Sequence, residues 1–225
     1  MTESLTRRQL AEMIDHTLLA PEATEKDITA LCEQARQLGV YAVCVSPTLV
    51  STAARELPGQ EIKVAAVAGF PSGAHSAGLK AQEASIAAST GAAEVDMVIN
   101  LGLAADGRWK DVEQEIAAVR GEIPSPIVLK VIIESAVLEE ESIVAACQAA
   151  AGAGADFVKT STGFHPAGGA TIAAVELMAR TVGHRLGIKA SGGIRTAADA
   201  LAMVEAGATR LGLSRTAAVL AELPS

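Results

Sequence analysis

Four of the seven lysines in this 225-residue chain interrupt short apolar runs. They are Lys63 in IKVAAVA, Lys130 in IVLKVII, Lys159 in DFVKTS and Lys189 in LGIKA. Lysine is rarely buried unless it is paired or functional. Lys63 stands at the start of its run and reads most simply as an inward stem whose head reaches water. For Lys130 that reading and a functional one stand level. Lys159 and Lys189 come near the ends of their runs, directly before the glycine-containing segments KTSTG and KASGG. Two ammonium groups held close together depress one another's pKa, and partial burial depresses it further. A lysine that is neutral near pH 7 attacks carbonyl carbons. The pair therefore reads as a Schiff-base lysine and the cation that keeps it neutral. Asp96 breaks the run EVDMVIN, and a carboxylate in an apolar strand needs a partner. That partner is either Lys130, in a structural ion pair, or the reacting centre, where Asp96 would shuttle protons beside an imine.

Two glycine turns follow in the same part of the chain. Ser191-Gly192-Gly193-Ile194-Arg195-Thr196 and Leu211-Gly212-Leu213-Ser214 each lead from an apolar run into a helical segment. Such turns either cradle a phosphate with backbone N–H groups or simply turn the chain. Other candidates are weaker. His16, in IDHT, reads equally as a substrate contact or a satisfied interior histidine. His75, His165 and His184 look like loop or helix-end residues. Cys44 reads as a small buried apolar residue. Val67–Gly73 is a tight exit that shapes a mouth.

The elements that must position these residues alternate along the chain. Runs at Met13–Leu18, Tyr41–Ser46, Ile62–Ala68, Glu94–Asn100, Ile127–Ile133, Asp156–Ser161, Leu186–Ala190 and Arg210–Leu213 are nearly continuous in apolar residues. That is the pattern of parallel strands covered on both faces. Between them lie amphipathic segments with legible ends. Thr24 and Thr196 stand as N-caps, Gly207 as a stop after Ala197–Ala206, and Pro58-Gly59 and Pro124-Ser125-Pro126 as returns to the next strand. Eight such units predict an α/β chain, a single-domain (β/α)8 TIM barrel over residues 1–225 with a short N-terminal helix. Alanine, about one residue in five, lets helices pack close to the barrel wall. A doubly wound open sheet is the rival architecture, but the first strand lacks a G-x-G-x-x-G turn.

Composition excludes other classes. The formal net charge of −8 opposes a general affinity for nucleic acid or an anionic membrane, and 2% aromatics leave few base-stacking platforms. No apolar stretch is long enough for a spanning helix. The first residues carry scattered charges and no apolar core, so a secretory leader is not expected. Cys32, Cys44 and Cys147 form no CxxC pair and have no histidine at zinc spacing. They read as reduced thiols of a cytoplasmic protein, and no metal site is expected.

The motifs IDHTLL, AVCVSP, EVDMVIN, LKVIIES, FVKTSTGF followed by GGAT, and IKASGGIRT occur in order between about residue 13 and about residue 216. In this they resemble the deoxyribose-phosphate aldolase family. The resemblance implies a (β/α)8 class I aldolase that reversibly cleaves 2-deoxy-D-ribose 5-phosphate to acetaldehyde and D-glyceraldehyde 3-phosphate. It implies deoxyribose and deoxyribonucleotide catabolism, no metal or organic cofactor, small phosphorylated sugar and aldehyde substrates, and a homodimer. Lys159 would form the imine, Lys189 would lower its pKa, and Asp96 would relay protons. The phosphate would sit on Gly163, Gly192, Gly193, Gly212 and Ser214, and Thr17 and Thr160 would join the substrate-binding set.

Three departures from the family pattern matter. Phe164 stands where some members carry a lysine that helps hold phosphate. Arg215 stands where many carry a second small serine, so Arg215 is expected to supply the missing charge. The only tyrosine is Tyr41, so the proton-transfer assistance that some members draw from a C-terminal tyrosine is absent or comes from water. Two other functions fit the barrel: another Schiff-base aldolase or transaldolase, and a catalytically silent barrel that binds a partner. The intact Lys159, Lys189 and Asp96 argue against the silent barrel.

Overall fold

Asp15, Glu94, Asp96, Lys130, Lys159, Lys189 and Arg210 lie on six strands and meet inside one closed barrel. The structure is a computed structural model and describes residues 5–59 and 61–224. The strands are β1 (Ile14–Leu18), β2 (Ala42–Val45), β3 (Lys63–Ala68), β4 (Glu94–Val98), β5 (Val128–Ile132), β6 (Phe157–Lys159), β7 (Gly187–Ser191) and β8 (Arg210–Leu213). Each pairs in parallel with the next, and β8 closes on β1 with Ile14 opposite Leu211. The helices are α1 (Arg7–Ala11), α2 (Glu25–Leu38), α3 (Val50–Glu56), α4 (Ala77–Ser89), α5 (Leu101–Ala105), α6 (Trp109–Glu122), α7 (Glu140–Gly152), α8 (Ile172–Val182), α9 (Ala197–Glu205) and α10 (Thr216–Ala221). The molecule is thus a (β/α)8 barrel preceded by a short helix, and the open-sheet rival falls away because β1 pairs with β8.

Local sequence explains the helix ends. Thr24 and Thr196 each accept a hydrogen bond from the backbone N–H three residues on, and Asp27 and Asp199 bond back to the cap N–H. Such a cap contributes about 1 kcal/mol. α2 stops at Gly39, whose φ of 67° suits glycine. α9 ends one residue before the expected Ala206, which forms the C-cap.

Strand residues alternate between two environments. Val43, Val45, Ala66, Val95, Met97, Leu129, Val131, Val158, Ile188 and Leu211 face outward into one continuous core with Ile28, Ile116, Val119 and Met178 of the helices. Alanines 35, 53, 84, 87, 146, 150 and 200 are buried in the same layer, as close helix–wall packing requires. Burying a large aliphatic side chain contributes roughly 1.5–3 kcal/mol. This outer layer stabilises the fold while the interior carries charge. Toward the C-terminal end, the inner residues of β2 and β3 are apolar: Cys44, Ala65 and Val67 cluster with Leu19, and Phe70 packs on them. The charges lie on the other strands of the wall.

β6 is shorter than the expected Asp156–Ser161. After Lys159 the chain leaves the ladder, and its next residues bond to Ser191 and Glu134.

Candidate active site

The inner charges form a stack that rises from the foot of the barrel toward the C-terminal ends of the strands. Arg210, first on β8, bonds Asp15 Oδ1 at 2.8 Å and Glu94 Oε2 at 3.1 Å. Lys130 Nζ lies 2.6 Å from Glu94 Oε2 and 2.7 Å from Asp96 Oδ1. Asp96 Oδ2 then accepts from both Lys159 Nζ and Lys189 Nζ, each at 2.7 Å. Lys189 also donates to Asp15. The barrel's registers impose this grouping. Asp96 lies opposite Lys130 across β4–β5, and Lys159 opposite Lys189 across β6–β7.

Asp96 meets both candidate partners at once. One oxygen pairs with Lys130 and the other with the lysine pair. Lys130 does not reach water; it is fully buried among carboxylates.

Charge balance separates the lysines. With Lys159 neutral, Asp15, Glu94 and Asp96 face Lys130, Lys189 and Arg210, three carboxylates against three cations. Protonating Lys159 adds an uncompensated charge to a dry interior, which is costly. Burial lowers the Lys159 pKa, and the Lys189 charge lowers it further; Asp96 opposes them without prevailing. Burial also pulls on Lys189, but Asp15 and Asp96 together outweigh it and hold that pKa above the ordinary value. Burial raises Asp96 in turn, and Lys130, Lys159 and Lys189 overcome it, keeping the carboxyl ionised well below the usual range. The result is one lysine biased to neutrality beside one fixed as a cation.

A cavity of about 400 Å³ opens over this centre. Lys159 lines it, together with Thr17, Gly163, Gly192, Gly193, Gly212 and Ser214 from the expected set. Leu18, Leu19 and Phe164 form an apolar side, where Phe164 meets Phe70 edge to face at 5.2 Å. Lys189 is fully buried and does not line the cavity. A larger cavity, about 590 Å³, lies at the opposite foot beside Tyr41, Lys63 and Glu94, and contains neither reactive lysine.

The glycines are explained by contact. Gly192 and Gly193 have φ of 83° and 81°, conformations that side chains rarely adopt. A Cβ on Gly169 would lie 2.2 Å from the Gly192 carbonyl oxygen, so the GGAT segment packs directly on the SGG turn. A Cβ on Gly212 would lie 2.9 Å from Ser191 Cβ and 3.2 Å from Lys189 Cε; the missing side chain leaves room for the Lys189 stem.

Two residues of the expected set stand elsewhere. Thr160 is fully buried, and its hydroxyl donates to the Ser191 carbonyl and accepts from the Ser191 N–H. It ties loop to strand and does not line the cavity. Arg215 is exposed at the N-cap of α10, one residue beyond the lining Ser214. His16 points between barrel and helices. Its Nδ1 meets Thr216 Oγ1 at 2.9 Å and its Nε2 meets Gln34 Oε1 at 3.2 Å, a satisfied interior histidine. Cys44 is buried, and burial raises its thiol pKa.

Sequence reasoning passed over Asp15, Glu94 and Arg210. For Asp15 a signal existed: a carboxylate inside MIDHTL obeys the same rule that singled out Asp96. Glu94 and Arg210 begin their strands and look like run boundaries. Lys80 was also passed over. It lies on α4, where its Nζ bonds Glu115 at 2.7 Å and the Val98 carbonyl at 2.8 Å, bracing the exit of β4.

Known proteins resemble this chain in sequence and in fold. Residues 10–217 match the DeoC/LacD family aldolase. The chain is 62% identical to the deoxyribose-phosphate aldolase of Kocuria rhizophila over 98% of this chain and 100% of that one. It is 61% identical to that of Corynebacterium diphtheriae, over 97% and 98%. Among solved structures it is similar to one described as the unique tetrameric structure of deoxyribose phosphate aldolase from Aeropyrum pernix. That match has a TM-score of 0.88 at 33% identity and covers 96% of this chain and 92% of that one. With full-length identity above 60% and the family match spanning the whole barrel, the chain belongs to the DeoC/LacD aldolase family.

Proposed function

We propose that this protein is a Schiff-base aldolase that reversibly cleaves 2-deoxy-D-ribose 5-phosphate to acetaldehyde and D-glyceraldehyde 3-phosphate. The observation that carries the reading is the contrast within the lysine pair: Lys159 opens to the cavity with its pKa lowered, while Lys189 is sealed beneath it and charged. The names of the relatives support the substrate. The catalytic residues are Lys159, Lys189 and Asp96.

In the cleavage direction, neutral Lys159 Nζ attacks C1 of the open-chain sugar. Loss of water leaves a protonated imine. A water held between Asp96 and Lys189 takes the proton of the C3 hydroxyl. The C2–C3 bond then breaks, its electron pair moves into the imine as an enamine, and D-glyceraldehyde 3-phosphate departs with C3 as its aldehyde carbon. The enamine takes a proton at C2, and water hydrolyses the acetaldehyde imine to free Lys159. Lysine acts covalently here, and its neighbours do acid–base work. The phosphate lies against Gly163, Gly192, Gly193, Gly212 and Ser214, where left-handed glycines let the backbone approach closely. Thr17, half-buried on β1 beside β8, contacts the sugar. This chemistry draws on side chains alone and needs no metal or organic cofactor.

Borohydride reduction in the presence of acetaldehyde tests the assignment. A stable adduct is expected on Lys159 by peptide mass mapping, and none in Lys159→Leu. Adduct formation undiminished in that variant would overturn the assignment.

The whole chain, residues 1–225, works as one aldolase domain and, in line with the family resemblance, as a homodimer in the cytoplasm. Three buried free thiols support a reducing compartment. Light scattering distinguishes a dimer from the tetramer named for the Aeropyrum pernix relative.

A further inference from the structure

We infer that Glu134 is a positioning residue that sets the distance between the reactive lysine and the phosphate loop. The inference rests on the aldolase reading of the Lys159 cavity. Glu134 follows β5, and among the described residues it is the one non-glycine residue with positive φ, at φ 53° and ψ 57°. It is buried, 1% exposed. Glycine would meet such a backbone without a steric penalty, so the position retains glutamate for its side chain.

All the hydrogen bonds that its carboxylate makes among the described residues go to Thr162. Thr162 Oγ1 donates to Glu134 Oε2 at 2.6 Å, and the Thr162 N–H donates to both oxygens at 3.3 Å. The Ser135 N–H donates to the Thr160 carbonyl at 2.8 Å, so the same turn grips the loop twice. Thr162 Oγ1 in turn accepts from the Phe164 N–H at 3.1 Å.

The braced segment runs from Thr160 to Phe164, immediately after Lys159. Thr162, Gly163 and Phe164 all line the cavity. Gly163 also abuts the SGG turn, since a Cβ on Gly192 would lie 3.2 Å from Gly163 Cα. The left-handed turn aims a buried charge-assisted acceptor at one threonine, and that threonine holds the loop on which the phosphate end rests. Without it, the imine end of the site keeps its lysines and carboxylates, while the phosphate end loses its register.

The test compares Glu134→Ala, Glu134→Gln and Thr162→Val, the last removing the same contact from the other side should Glu134→Ala fail to fold. Steady-state cleavage is measured on 2-deoxyribose 5-phosphate and on free 2-deoxyribose, with borohydride trapping of acetaldehyde as a separate readout. In Glu134→Ala and Thr162→Val, KM for the phosphorylated sugar is expected to rise about tenfold, the scale of one lost charge-assisted hydrogen bond. Neither KM for free deoxyribose nor trapping on Lys159 should change comparably. Glu134→Gln, which keeps an acceptor for the threonine hydroxyl, should restore most of the phosphate preference. Equal changes for both sugars, or an unchanged preference with trapping intact, would overturn the role of Glu134 alone. Absence of trapping in the wild-type protein would instead overturn the aldolase reading and the inference with it.

Discussion

Replacing Lys189 by methionine should move imine formation on Lys159 to higher pH. The two ammonium nitrogens each lie 2.7 Å from the same Asp96 oxygen, so they are no more than twice that distance, 5.4 Å, apart. Two unit charges about 5 Å apart at an effective dielectric constant of about 20 repel by roughly 3 kcal/mol. That is about a hundredfold in the neutral fraction of Lys159. The sign follows from the chemistry: neutral lysine is the nucleophile, and removing a neighbouring cation favours its protonated form. Loss of Lys189 also frees Asp96 and Asp15 to attract the remaining proton, in the same direction. Methionine preserves much of the buried volume, Asp15 keeps Arg210, and Asp96 keeps Lys130, so a folded variant is expected. Thermal unfolding verifies that. The assay is the rate of borohydride trapping by acetaldehyde as a function of pH. Trapping at pH 7 should fall about hundredfold and recover on the alkaline side. A pH profile that does not move in a folded variant would mean that burial alone tunes Lys159, and the electrostatic argument would be wrong.

Arg215→Ala should raise KM for 2-deoxyribose 5-phosphate by up to about fivefold, the reach of a solvent-exposed charge, and leave free deoxyribose unaffected. Equal effects on both sugars would dissociate Arg215 from the phosphate. Gly212→Ala places a methyl 2.9 Å from Ser191 Cβ and 3.2 Å from Lys189 Cε, so kcat for cleavage should drop about tenfold or more through a displaced Lys189; an unchanged kcat would show that the lysine stem yields freely. Burial raises the Asp15 carboxyl, but Lys189, Lys130 and Arg210 bring it down to about 2 from an ordinary 3.8. A carboxyl lowered in the folded state adds stability that is present above pH 3.8 and lost as pH falls toward 2, here about 2 kcal/mol. Urea unfolding should show that loss over this window, and Asp15→Asn should flatten it; an equally steep loss in the variant would assign it to other groups.

Lys159, Lys189 and Asp96 stood out in the sequence because each breaks an apolar run within a strand, where a charge needs a partner or a function. The capped starts of α2 and α9 were legible because a threonine three residues before an aspartate satisfies local N–H groups wherever the chain goes. Arg210 and Glu94 were not legible as a pair: they stand 116 residues apart, each at a strand start where charge is ordinary. Thr160 was expected among the substrate contacts from the family resemblance, yet its hydroxyl is consumed by Ser191 of the neighbouring strand. Glu134 carried no local signal, since nothing in IIES marks a left-handed residue.

By itself the sequence determined the alternation of strand and helix, and with it the barrel, since period and capping are properties of neighbours along the chain. It also marked Lys159, Lys189 and Asp96 as charges inside apolar runs. The tertiary structure decided which charges meet. Closure of β8 on β1 brings Asp15 to Lys189 across 174 residues, and the register of β6 with β7 places both lysines on one carboxylate oxygen. Depth then decided their roles. Lys159 ends its strand and opens to the cavity, whereas Lys189 is followed by two more strand residues that seal it below. Both lysines look alike in the sequence because desolvation and charge balance depend on distances through space, which only the closed barrel supplies.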